Sequence, residues 1–253
     1  MRKNILFIAF SFLIFSMSAQ NKKSDAYTDF PTKAEWEEIW STNDETVHDK
    51  VMAAMQVPDV LLAKMSTEGL LETCMLYPAN RWILTDAQGN YQNTYRFYVD
   101  RSNAYAAFFK RTDAAAVALK MYNDFDYASA DEVYLEKGNT MDFAIHHTKA
   151  MCLGMLLGQE EMINKMTDAQ KIEAIKIGLE KADDIDDSEV YGGTSRGMIF
   201  YPIPSIMDRA DFSEMKLLKE ENENVRNYLS TAHLVSREDL QSILERAKKF
   251  INE

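Results

Sequence analysis

Cysteine, proline and glycine are all scarce here: two, five and nine in 253 residues. Two cysteines allow one disulfide at most, and a chain of this length can build its own core without a staple. So few glycines and prolines argue against an all-β sandwich, which needs many turns, and favour long helices. Beyond the first residues, no apolar run approaches the roughly 20 residues of a bilayer span. Basic charge is also short. There are 28 Lys and Arg against 40 Asp and Glu, a net charge of −12. Such a chain repels nucleic acid and anionic lipid, so neither is expected as a partner.

The first residues are different. Arg2 and Lys3 precede an apolar stretch from Ile5 to Phe15, followed by the small residues of Ser16-Met17-Ser18-Ala19-Gln20. That order predicts a secretory signal peptide over 1–19, cut after Ser18 or Ala19. No cysteine lies near the cut, so a lipid anchor is not expected. The mature chain of 234 residues then carries 26 basic and 40 acidic residues, net −14. The expected location is secreted or periplasmic, with no membrane insertion after cleavage.

Apolar residues make up 46% of the chain, enough for a packed core. The 15 methionines fit irregular helical cores. Residues 20–30 are expected to form a flexible lead-in, and residues 31–253 one all-α domain. That domain should hold about ten helices in loosely stacked pairs, solenoid-like or as an irregular bundle.

Helix starts are legible. Thr32 with Glu35 makes a capping box before Trp36 and Trp40, and Thr167 with Gln170 makes another. Pro58 suits a helix start, and Val235-Ser236 repeats a staple-and-cap arrangement. In "MSTEGLLETCMLYP", Ser66 can cap, Met65 and Leu70 can staple, and Pro78 ends the helix. Leu70, Cys74 and Tyr77 then share one apolar face. A cysteine buried there has a raised thiol pKa and is no nucleophile. Cys152 occupies a similar position in the apolar segment Thr140–Gly158, which should be central. Two buried thiols are expected, although an oxidising compartment permits a bridge. Tyr91 to Val99 fits either a strand, by its period of two, or a helix through Tyr91, Tyr95 and Tyr98. Helix is favoured, because an isolated hairpin is marginal.

The order "VPDVLLAKMSTEGLLETCMLYP", "YQNTYRFY", "RTDAAAVALKMY" and "MTDAQKIEAIKIGLEKA" resembles a group of uncharacterised, secreted, all-helical bacterial proteins. Their pattern reads "IP…LxxMSTExLxExxLxYP", and the resemblance covers roughly residues 55 to 180. It implies an all-α fold and no function. In some such proteins a Cys-His hydrolase-type segment follows. No such block stands in this sequence, so that activity is not carried over.

Few residues look chemical. Asp142 and His146 stand four apart, but two ligands do not make a zinc site. His147 reads as a core histidine, and His146 as a surface residue paired with Asp142. "ADDIDDSEVYGG" lacks the spacing of a calcium loop and reads as a solvated acidic loop. "YGGTSRGMIFYP" offers Thr194, Ser195 and Arg196 at a helix start, where an Arg could hold a carboxylate or phosphate. The bland alternative is a plain cap. No metal and no cofactor is implied, and no nucleophile elbow or Ser-His-Asp set is read. The leading expectation is an exported, non-catalytic binding or interaction protein, with a protein or a small-molecule or glycan ligand as partner. The alternative is a small extracytoplasmic hydrolase or lyase acting on glycans or peptidoglycan.

Overall fold

A computed structural model gives the fold and describes residues 24–41, 46–83, 87–127, 140–186, 192–234 and 236–252. The expected signal peptide, Val235 and residues 187–191 of the acidic loop lie outside these residues. So do the side chains of Trp36, Trp40 and Asp142.

The described chain is all-helical. Helices α1 (Lys33–Ser41), α2 (Val47–Ala54), α3 (Asp59–Leu62) and α4 (Thr67–Leu76) lead into a 3-10 turn over Pro78–Arg81. Next come α5 (Tyr91–Val99), α6 (Asn103–Phe109), α7 (Ala114–Asp124) and α8 (Thr140–Leu157). They are followed by α9 (Glu160–Ile163), α10 (Asp168–Asp186) and α11 (Gly193–Ile199). The chain closes with α12 (Pro202–Arg209), α13 (Ser213–Glu221), α14 (Glu223–Thr231) and α15 (Arg237–Phe250). These segments are shorter and more numerous than the ten or so expected.

Side-chain caps fix many of the starts. At α1, Thr32 N–H donates to Glu35 Oε2 at 2.7 Å and Glu35 N–H returns to Thr32 Oγ1 at 3.4 Å, closing the box. Thr167 and Gln170 do the same before α10. Ser66 Oγ accepts from Gly69 N–H at 3.0 Å, and Ser236 Oγ from Asp239 N–H at 3.1 Å. Each such cap is worth about 1 kcal/mol. Tyr91–Val99 is helical: Tyr95 and Tyr98 are buried, while Asn93 and Phe97 face solvent.

One apolar cluster runs through the molecule, with α8 at its centre. Ala150 to Leu157 are buried on every side, as a helix enclosed by others requires. Helices α4, α7, α11 and α12 pack around it. This is an irregular bundle, since elements far apart in sequence meet at α8.

Three local expectations change. The acidic loop expected from Asp183 begins later, because α10 continues to Asp186. Helices α9 and α13 are further elements, the first a single turn, that add to the ten or so expected. Within the expected lead-in, residues from Ser24 lie against α4. Asp25 accepts from Ser66 N–H and from Ser66 Oγ, both at 2.7 Å, and Tyr27 N–H donates to Thr73 Oγ1 at 2.8 Å. A β-carbon at position 69 would lie 1.8 Å from Asp25 Oδ1, so a larger residue there would displace the Asp25 carboxylate from Ser66.

Candidate functional site

The "GGTSRG" segment forms the start of α11, with Gly192 as a cap residue that makes no side-chain cap bond. Helix α11 lies close across α8. A β-carbon at Gly154 would meet the Met198 carbonyl oxygen at 2.3 Å, so only glycine permits this crossing. The crossing sets His147 of α8 beside Ser195 of α11, with His147 Nε2 2.7 Å from Ser195 Oγ. Burial lowers the His147 pKa to about 4, and neighbouring His146 adds to the effect. The imidazole is therefore neutral at pH 7 and can accept from the hydroxyl.

Residues 193–197 spell G-x-S-x-G: Gly193, Thr194, Ser195, Arg196 and Gly197. The sequence reading passes over this match, and with it the serine partner of His147. The structural context of a nucleophile elbow is nevertheless missing. That motif needs a sharp strand-to-helix turn that lifts the serine into the open. Here Ser195 sits inside a helix and is buried. A general base also works best with a pKa near the operating pH, well above that of His147. The pair satisfies two polar groups in the core, where an unmatched one would cost about 1–3 kcal/mol.

His146 differs from expectation. It is half-buried rather than on the surface, stacked on Phe125 with ring centroids 4.6 Å apart, and burial lowers its pKa. Among the described residues, no three His, Cys, Asp or Glu side chains converge as a metal site. Hydrogen bonds with Thr32, Lys120 and Lys249 lower the pKa values of the Glu35, Asp124 and Glu214 carboxyls respectively. None is the raised carboxyl of a general acid.

Arg196 points away from Ser195. Its Nη2 donates to the Ile185 carbonyl at 3.2 Å, near the end of α10. There it lines a cleft of about 560 Å³ formed by α10, α11 and α15. Helix α15 contributes most of the wall. Arg237, Gln241, Leu244 and Lys248 run along it at helical spacing, and Glu238, Ser242, Glu245 and Arg246 also line the cleft. Ile185, Phe200 and Leu240, themselves buried in the core, form its floor, and half-buried Leu244 adds an apolar side chain. The three predicted residues thus do not converge: Arg196 lines the cleft, Ser195 turns inward, and Thr194 is half-buried outside the cleft lining. Arg237, Arg246 and Lys248 were missed. For Arg237 and Lys248 the stripe 237/241/244/248, beside the apolar face of Leu240, Ile243 and Ala247, was the sequence sign; Arg246 lies off that stripe.

Two smaller clefts differ in character. One, of about 330 Å³, lies between α5, α9 and α12. Its charges are paired, Arg96 with Glu161 at 2.9 Å, Arg209 with Glu160 at 3.0 Å, and Asp208 with Lys219 from outside the lining. The other, of about 300 Å³, lies beneath residues 25–29 beside Leu61, Lys64 and Met65.

No family model, curated protein or solved structure matches the chain. No helix among the described residues is long and apolar enough to cross a membrane.

Proposed function

We propose that this is an exported, non-catalytic binding protein, secreted or periplasmic, whose ligand lies in the cleft between α10, α11 and α15. The cleft's size and lining carry the reading. A volume of about 560 Å³ falls inside the roughly 300–1,000 Å³ range of small-molecule sites. Its walls combine apolar side chains with guanidinium, amide and hydroxyl groups that can orient a ligand, and no nucleophile there is paired with a base. Export rests on the charge, apolar run and small residues of positions 1–19.

The test is thermal unfolding of the mature protein against glycan fragments, short peptides and small acids. A ligand that binds only the folded state stabilises it by about 2.7 kcal/mol at 100 times its Kd. For a domain of this size, that raises Tm by roughly 5–10 °C. The reading predicts such a saturable rise with no ligand consumed. Ligand turnover would overturn it.

A second reading, an extracytoplasmic hydrolase acting on glycans or peptidoglycan, gains from one observation, the Ser195–His147 pair. A fluorophosphonate probe separates the two. The binding reading predicts no labelling of Ser195 in the folded protein. Labelling lost in Ser195→Ala would favour the hydrolase.

A further inference from the structure

The cleft contains a cation whose hydrogen bonding is incomplete. Arg246, half-buried on α15, has a buried Nε with no hydrogen-bond partner. Its Nη1 reaches only the Ser242 carbonyl, at 3.5 Å, the outer limit for such a bond. A buried donor left in this state calls for an explanation, and an anion is one that fits a guanidinium. The Glu214 carboxyl lies within the field of Arg246, but Lys249 Nζ holds it at 2.7 Å.

The surroundings favour the same ligand chemistry. The described lining also carries Arg196, Arg237 and Lys248, with Glu238 and Glu245, so guanidinium donors stand on both the α11 and α15 walls of the cleft. The half-buried Leu244 would contact the uncharged body of such a molecule.

We infer that the ligand of this cleft is a small molecule anchored by a carboxylate or phosphate that accepts from the Arg246 guanidinium. The inference rests on the reading of the cleft as a binding site. The planar guanidinium fork matches either group with two parallel N–H···O bonds, which an ammonium cannot do. The anion could belong to an acidic sugar or to a phosphate ester.

The experiment is a titration of the ¹⁵N-labelled mature protein, following the Arg246 Nε–H resonance, which Arg246→Lys identifies by its loss. The probes are galacturonate, inorganic phosphate and, as neutral control, galactose. The resonance should move saturably with galacturonate or phosphate and stay still with galactose. Arg246→Gln should weaken anion binding at least tenfold, whereas Arg226→Gln, on α14, should not change it. A response to galacturonate alone assigns an acidic sugar, and to phosphate alone a phosphate ester. If neither anion moves the resonance, or if Arg246→Gln binds like the wild type, the anion inference falls. Should a neutral compound then still raise Tm, and lose that effect when Ser242→Trp fills the cleft, the binding reading survives. If no compound does so, both fall.

Discussion

At the scale of single residues, burial decides which groups can react. Cys74 and Cys152 are free and fully enclosed, and burial raises both thiols well above their ordinary pKa, with Cys152 adding to the effect on Cys74. Neither should react with iodoacetamide at pH 8 in the folded protein, and both should titrate once it is unfolded without reductant. Finding no thiols would mean a bridge. Cys74→Ala should cost roughly 1–2 kcal/mol, below the Leu→Ala range, because a single sulfur is lost. His147 gives a pH dependence. Its folded pKa is lowered to about 4, so the unfolded chain binds the proton more tightly. Stability from this site is complete above an unfolded pKa near 6.5 and is lost as pH falls towards 4. The loss should be on the order of 3 kcal/mol across that window. His147→Gln should flatten the decline, as measured by denaturant midpoints at pH 7, 5.5 and 4. An unchanged decline would contradict the burial account of His147.

At the scale of elements, the legible features were those written within one turn of chain. Ser66, Thr32, Thr167 and Ser236 cap helices as their spacing predicts, because a cap needs only a side-chain oxygen and an N–H two or three residues on. The apolar run Ala150–Leu157 announces its own burial. The pairing of Ser195 with His147 is not legible in that way. It depends on α11 crossing α8, and that crossing depends on Gly154, whose role sequence spacing does not reveal. The cleft is illegible for the same reason: Arg196 and Arg246 stand fifty residues apart and meet only when α15 packs on α10 and α12. Gly154→Ala should therefore destabilise the fold by about 1–3 kcal/mol, the usual cost of overpacking. It should also shift the His147 ring resonances, since α11 must move. Normal stability with unshifted His147 signals would show that the two helices have room to spare.

At the scale of the whole molecule, the composition excludes much and the fold narrows it further. The chain is acidic and, where described, all-helical around one continuous core, and four of its 28 basic residues line the cleft between α10, α11 and α15. The export proposal predicts a native N-terminus at Ala19 or Gln20, and mass analysis that found Met1 retained would contradict it. The central claim is that the α10–α11–α15 cleft is where the protein meets its ligand. Ser242→Trp, which places an indole in that cleft, tests it most directly. Calorimetric titration of wild type and variant with a compound that raises Tm should give one site in the wild type and no detectable heat in an equally stable variant. Equal affinity in the two proteins would contradict the account.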